Sequence, residues 1–231
     1  MGYTHYWRRK KEITIETMRL IVNDFQKTIF ELDKHIDLAG GNGSDEPIIS
    51  VEEVCFNGRE KCGHEKHELG ITWPSKIAGG VAVPFQENAE NGSWFAGAQL
   101  DKRMCGGDCS HESVYFPRVL NDDCKPIEKI AYYNGNVPVY NSEDEVGLYF
   151  EFCKTAFKPY DLAVITFLII AKSHLKELLI VESDGEDGHW FDGKMLCQLV
   201  LGYGLHFNFD KKTGRLERKE EEQHEKTGSN H

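Results

Sequence analysis

The sequence lacks a hydrophobic run long enough to cross a bilayer. Its longest apolar stretch, Leu162 to Ala171, is interrupted by Thr166, whereas a membrane-spanning helix needs about 20 apolar residues. Residues 1–11 also lack the apolar segment of a secretory signal, because the aromatic start leads directly into a basic patch. We therefore expect a cytoplasmic protein without a membrane partner.

An excess of basic residues is also absent. The chain has 27 Lys and Arg against 38 Asp and Glu, which gives a formal net charge of −11. Nucleic-acid binding that follows the phosphate backbone requires clustered cations. The composition therefore disfavours a nucleic-acid partner, including a zinc-dependent one. Both signs are balanced in residues 210–231, which we expect to be a charged, partly disordered tail.

Cysteines are few, and their number is odd. Seven cysteines in a reducing cytosol are better explained as metal ligands and buried thiols than as a disulfide framework. Several of them fall into two short clusters rich in soft ligands, Cys62-Gly-His64-Glu-Lys-His67 and Cys105-Gly-Gly-Asp-Cys109-Ser-His111. Two ligand pairs joined by a longer loop are the usual way in which a chain supplies a tetrahedral zinc site.

The clusters offer more ligands than one zinc ion needs. The spacing favours Cys62, Cys105 and Cys109 as thiolates and His64 as the fourth ligand. A site closed by four protein ligands would be structural, whereas three ligands and a water could be hydrolytic; we expect the structural form. Other side chains that could take part are His67, His111, Cys55 and Cys124.

Hydrophobic periodicity predicts an α+β fold with a mixed or antiparallel sheet and about three helices. We expect a single domain over residues 1–209, interrupted at 59–110 by a Cys/His-rich, zinc-stabilised insertion. Residues 132–136 are interpreted as a polar loop. The predicted helices are Ile15–His35 with Thr14 as cap, Pro159–Leu175 and Trp190–Leu201; the predicted strands are Tyr3–Trp7, Ile48–Asn57, Glu112–Val119, Glu145–Cys153, Leu178–Glu182 and Leu205–Phe209.

The segment from Phe152 to Asp161 joins a predicted strand to a predicted helix. Free amides at a helix start attract anions, and Lys154, Thr155 and Lys158 could add charge and a hydroxyl donor. The alternative is that Asp161 complements the helix dipole while the lysines are solvated.

Two further features carry polar side chains that could have a function. In the N-terminal strand, His5 could act as an acid or base in a polar cleft, or it could be a hydrogen-bonded structural histidine. In the acidic turn Ser183–His189, Asp184, Glu186 and Asp187 could bind magnesium, or they could form a solvated turn.

At these residues the chain resembles a family of uncharacterised proteins from bacteria and their phages. The members open Met-Gly-Tyr-Thr-His-Tyr-Trp and carry Phe-Cys-Lys-Thr-Ala-x-Lys-Pro-Tyr-Asp followed by a Ser-Asp-Gly turn; here these are residues 1–7, 152–161 and 183–185. Weaker matches are Phe56-Asn57-Gly58 and His111-Glu112. The resemblance implies one shared fold and a phage or mobile-element context, places the metal-binding insertion outside the shared core, and supplies no activity.

Two functional hypotheses follow, and no motif defines a reaction. The first is a pocket for a small anionic or nucleotide-like ligand, built from His5, Lys154, Thr155, Lys158 and Asp184, beside a structural zinc. The second is a non-catalytic, host-modulating interaction module, in which the zinc-stabilised insertion presents aromatic contact residues. Those aromatic residues are Trp73, Trp94 and Phe95.

Overall fold

The computed structural model describes residues 3–64, 67–69, 71, 94–95, 98–99, 103–210 and 212–219, with the backbone alone at 67–68, 94–95 and 98–99. The interaction residues suggested for the insertion lie outside this description: Trp73, and the side chains of Trp94 and Phe95. The same holds for the side chain of His67.

Three helices and fifteen short strands make up the described part of the chain, which confirms the α+β class. The helices are α1 Ile15–Leu32, α2 Asp161–Leu175 and α3 Phe191–Leu201. The strands are β1 Thr4–Arg9, β2 Leu38–Ala39, β3 Ile48–Ile49, β4 Glu53–Gly58, β5 His67–Leu69, β6 Trp94–Phe95, β7 Ala98–Gln99, β8 Arg103–Cys105, β9 Val114–Pro117, β10 Ile130–Asn134, β11 Val137–Tyr140, β12 Tyr149–Lys154, β13 Leu179–Ser183, β14 Phe207–Phe209 and β15 Leu216–Arg218.

The N-terminal strand is the centre of a three-stranded antiparallel sheet. β1 pairs with β12 on one side and with β13 on the other. This placement explains the aromatic start of the chain, because Trp7 is 1% exposed and packs on Phe116 of β9. The prediction of an ordered N-terminal strand is therefore confirmed.

α2 is the central helix, and it is apolar on every side. Its Phe167 contacts Phe25 of α1 and Phe116 of β9 edge to face. α1 and α3 both pack against it. A helix that is hydrophobic all round belongs in a core rather than on a surface. Within the described ranges, none of the helices combines the length and the apolar character that crossing a bilayer requires.

α1 begins where the sequence predicts, since the Thr14 hydroxyl accepts the Thr17 amide at 3.2 Å. It ends three residues before the predicted His35, because Asp33 caps the helix and the next amides turn back onto its last carbonyls.

Two local predictions are wrong. The single strand expected over Ile48–Asn57 is a hairpin of β3 and β4, because the Ser50 hydroxyl accepts two backbone amides and turns the chain. The expected polar loop at 132–136 is part of the β10–β11 hairpin, which turns at Gly135 with φ +63°.

The C-terminal segment is ordered beyond residue 209. β15 pairs with β14, and Leu216 is fully buried in the core. Arg215 forms ion pairs with Glu182 of β13 and with Glu145, which precedes β12. The expected tail therefore contributes a strand to the body before residue 220.

Candidate metal centre and the buried cluster beside it

Four soft ligands meet at one point. The Sγ atoms of Cys62, Cys105 and Cys109 and a ring nitrogen of His64 all lie within 4.8 Å of one another. The Sγ atoms of Cys62 and Cys105 are 3.7 Å apart, and His64 Nδ1 lies 3.7 Å from the sulfur of Cys105 and from that of Cys109. These are the four residues that the sequence favours, and together they could hold a metal ion.

Three of the six distances between these ligand atoms match the edges of a tetrahedral zinc site. Zinc binds sulfur at about 2.3 Å and imidazole nitrogen at about 2.0 Å, so the edges of a tetrahedral site measure roughly 3.5–3.8 Å. The three measured separations, each 3.7 Å, fall within that range. Four protein ligands leave no tetrahedral position for water or substrate.

Glycines and close backbone contacts shape the two ligand loops. Gly63 lies between two ligands with φ +78°, and Gly107 between the other two with φ +91°. A Cβ on Gly58, at the end of β4, would lie 2.0 Å from the carbonyl oxygen of Cys109. The Cys109 amide donates to the Arg59 carbonyl at 3.0 Å. β4 therefore fixes the position of the loop that carries Cys109.

Burial and hydrogen bonding act on the ligand thiols in opposite directions. Cys105 and Cys109 are buried, while Cys62 is partly exposed. Burial raises the pKa of Cys62, but bonds from the His64 backbone and from the other two thiols outweigh it and lower that pKa below its ordinary value. These hydrogen bonds therefore favour the thiolate form of Cys62, which is the form that binds a metal.

The other candidate ligands that the structure describes have different neighbours. His111 Nδ1 donates to the Lys154 carbonyl at 2.7 Å, and its backbone amide donates to Asn57. Cys124 is exposed, and Cys55 packs against Gly41. None of these residues belongs to the group of four.

The loop that precedes α2 lies beside the ligand loops. The Met104 amide donates to the Phe157 carbonyl at 3.3 Å, and Lys158 Nζ donates to the Asp108 carbonyl at 2.6 Å. Ala156 and Phe157 have positive φ, +49° and +56°, which is strained for side-chain-bearing residues. The metal centre and the start of α2 are thus joined directly.

These contacts decide where the residues of the predicted anion pocket lie. Thr155 is fully buried and donates to Asp161 Oδ1 at 2.6 Å. The Lys158 ammonium donates to the Asp108 carbonyl of the ligand loop. Asp184 accepts the Thr4 amide and the Tyr6 hydroxyl. The Lys154 backbone bonds to Glu112. The five predicted residues lie in one region. The side chains of His5, Thr155, Lys158 and Asp184 bond to other groups of the protein, whereas the described polar contacts of Lys154 are made by its backbone.

The fifth predicted residue, His5, belongs to a buried ionic cluster. Its Nε2 lies 2.7 Å from Asp161 Oδ1, and Arg103 Nε donates to Asp161 Oδ2 at 2.8 Å. Side-chain exposure is 0% for His5 and Asp161 and 4% for Arg103. The other ring nitrogen of His5, Nδ1, is buried and has no hydrogen-bond partner among the described residues. Asp161 lies in the first turn of α2, but its carboxylate bonds to the His5 and Arg103 side chains instead of to solvent.

Arg103 completes the cluster from within the predicted insertion. Its Nη2 donates to the His189 carbonyl at 2.8 Å, its Nη1 lies 3.2 Å from Asp192, and its guanidinium carbon lies 5.1 Å from the centre of the Phe157 ring. Burial disfavours its charge, but the carboxylates of Asp161 and Asp192 raise its pKa above the ordinary value. Arg103 is not predictable from the sequence, because no local spacing links it to Asp161.

The acidic turn does not form a metal site in the described residues. Glu186 caps the short turn that follows it. Asp187 Oδ1 accepts Lys194 Nζ at 2.5 Å and the Phe209 amide at 2.9 Å. Within the described ranges, the Cys/His group alone brings three or more such ligand atoms together.

A cavity of about 580 Å³ adjoins the metal centre. His64, Cys109 and Tyr160 form one wall, and the end of α1 with Arg59 forms the other. The Arg59 guanidinium is already bonded to Asp37 and to two carbonyls.

No family model, curated protein or solved structure matches the chain. Its function is therefore inferred from its own residues.

Proposed function

We propose that the protein binds one structural Zn²⁺ through Cys62, His64, Cys105 and Cys109. The observation that supports the proposal is the set of four soft ligand atoms within 4.8 Å of one another. Three thiolates and an imidazole suit zinc, and a tetrahedron of protein atoms has no open position for hydrolytic chemistry. The ion would therefore act on stability rather than on a substrate.

The zinc would join three segments of the chain. Residues 58–64 and 103–109 supply the ligands, and the second segment bonds to the loop before α2. Arg103 lies two residues before Cys105 in β8. Metal binding would thus hold the Arg103 side chain against Asp161 and His5, so that the metal stabilises the core as well as the insertion.

Native mass spectrometry of the full chain, before and after chelation, tests this proposal. We expect one zinc per chain, removed by chelation together with a large fall in melting temperature. The Cys105→Ser variant should lose the zinc, because a neutral hydroxyl is a poor replacement for a thiolate. Elemental analysis of the same sample identifies the metal.

The matched control is Cys124→Ser, which makes the same change at an exposed cysteine outside the group. It should keep the zinc and the melting temperature of the wild type. The proposal fails if the wild type purified from cells and supplied with zinc binds none, or if Cys105→Ser and Cys109→Ser both retain it.

We also propose that the protein binds a small anionic or nucleotide-like ligand; the alternative is a non-catalytic interaction module. The internal contacts of Thr155, Lys158 and Asp184 favour a ligand site elsewhere than the start of α2. A cytoplasmic location is proposed because all seven cysteines, each in the described ranges, are free. The phage context rests on the resemblance alone.

A further inference from the structure

A second cavity lies at the opposite end of α2 from the metal centre, and its charge differs from that of the chain as a whole. Its volume is about 470 Å³, within the size range of small-molecule sites. It is lined by Lys172, Ser173, Lys176, Glu177, His206, Phe207, Glu217, Arg218 and Lys219.

Positive charge dominates this lining. Four lysine or arginine side chains face two carboxylates there, although the whole chain has a net charge of −11. Cations placed around one concavity repel one another, and a low-dielectric wall strengthens their field. An anion in the cavity would remove that repulsion.

The helix end explains only part of this charge. Lys172 is 5% exposed, and its Nζ donates to the Leu179 carbonyl at 3.0 Å and lies 3.5 Å from Glu217. Cations near a helix C-terminus complement the helix dipole, which accounts for Lys172 and Lys176. Arg218 and Lys219 come from β15 and the residue after it, so the dipole does not account for them.

The available cations are those of the rim. In the part of the chain that the structure describes, Lys176, Arg218 and Lys219 have no carboxylate within ion-pair distance. Their guanidinium and ammonium groups can therefore donate to a ligand. Phe207, one of the lining residues, is 1% exposed, so the cavity offers little aromatic surface on which a base could stack.

Lys176 also has a strained backbone. Its φ of +52° and ψ of −121° lie in a region that glycine adopts far more readily. Glycine at this C-cap would relieve the strain, yet the chain has a lysine there. Strain of this kind is found most often at functional positions.

We propose that this cavity binds the phosphate group of a small molecule, with Lys176, Arg218 and Lys219 as its donors. Arginine suits phosphate oxygens because its fork donates two hydrogen bonds, and lysine adds point charge. The site is independent of the zinc proposal, since the length of α2, roughly 20 Å, separates the two.

Isothermal titration calorimetry of the full chain with inorganic phosphate and with ADP tests the proposal. We expect binding that weakens at high salt, and an affinity reduced at least about tenfold in Arg218→Gln. Tighter binding of ADP would indicate a nucleotide as the source of the phosphate. Equal binding of the two probes would indicate recognition of the phosphate alone.

Lys176→Gly separates binding from stability. If Lys176 has only a structural role, removing its side chain should not affect ligand affinity. We expect the variant to melt no lower than the wild type, because strain is relieved, and to bind the phosphate probes several-fold more weakly. The matched control is Lys212→Gln, which removes the same charge from an exposed position outside the cavity and should leave affinity unchanged.

The proposal is overturned if neither probe binds, or if Lys212→Gln weakens binding as much as the cavity variants do, which would indicate long-range charge alone. Repeating the titration after chelation separates the two proposals. Phosphate binding that survives metal removal supports this site whatever the outcome for zinc.

Discussion

The metal centre and the buried ionic cluster beside it use the same region of the chain but are assembled in different ways. The metal ligands come from two short segments, each of which supplies two residues from one loop. The ionic cluster takes Asp161 from α2, His5 from β1 and Arg103 from β8. The first arrangement depends on local turns and the second on the whole tertiary structure.

This difference predicts how much stability each cluster loses when one of its members is removed. A metal centre that loses its ion leaves thiols and an imidazole, which are neutral or readily become so. An ionic cluster that loses one partner leaves a charge in a medium that solvates it poorly. The ionic cluster should therefore be the more sensitive of the two to a single substitution.

The largest effect is expected for Arg103→Met. Asp161 would keep His5 and Thr155 but lose the guanidinium of Arg103, the one Lys or Arg group paired with it among the described residues, while remaining fully buried. Breaking a buried ion pair on one side costs about 3–5 kcal/mol. Urea unfolding of the zinc-loaded protein measures this loss.

Arg118→Met is the control for this change. Arg118 forms ion pairs with Glu12 and Glu52, whose side chains are both exposed. Exposed pairs contribute about 0–1 kcal/mol. Equal losses in the two variants would show that Arg103 acts only through packing of its side chain.

The same difference explains what the sequence could predict. Cys62-Gly-His64 and the Cys105–Cys109 spacing are local patterns, so the ligand set could be derived without knowing the fold. His111 is an alternative ligand by sequence, and its bonds to the Lys154 carbonyl and to Asn57 place it outside the group. The sequence also locates the start of α2. The anion site predicted there rests on free amides, Lys154, Thr155 and Lys158, but Lys158 donates to the Asp108 carbonyl, 50 residues away.

Arg103 could not be predicted because its partner is 58 residues away along the chain and no periodicity relates them. The fold followed a similar rule. Periodic segments such as α1 were located to within a few residues, whereas the turn at Ser50 depends on one hydroxyl that accepts two amides. The β10–β11 hairpin was missed because its strands are exposed on both faces and have no apolar alternation.

A smaller effect is expected for Gly58→Ala, which acts on the metal centre through the backbone. The new Cβ would lie 2.0 Å from the Cys109 carbonyl oxygen and 2.6 Å from its carbon, so the ligand loop must move. Overpacking of this kind costs about 1–3 kcal/mol. Zinc affinity, measured by competition with a chromophoric chelator, should fall along with stability.

Gly106→Ala is the matched control, because it lies between two ligands and its Cβ would meet no heavy atom within 4 Å. It should keep the wild-type zinc affinity. If both variants bind zinc equally well, contact with β4 does not position Cys109, and the loop is set by its own turns.

The smallest effect on the free energy of unfolding is expected when low pH protonates Asp161. Burial raises the pKa of Asp161, but Arg103 and His5 outweigh it and lower the pKa to about 2, below its ordinary value of 3.8. A carboxyl group whose pKa is depressed by folding contributes stability that is full above its ordinary pKa and is lost as the pH falls towards the folded value. The contribution is on the order of 2 kcal/mol.

Unfolding free energies of the wild type and of Asp161→Asn, compared between pH 6 and pH 2.5, isolate this contribution. Other carboxylates, and loss of zinc in acid, act on both proteins and cancel in the difference. That difference should be constant above about pH 5 and should shrink below pH 4. A constant difference throughout would mean that Asp161 has the same proton affinity in the folded and unfolded chains, and that the ionic contacts of its carboxylate do not stabilise the fold.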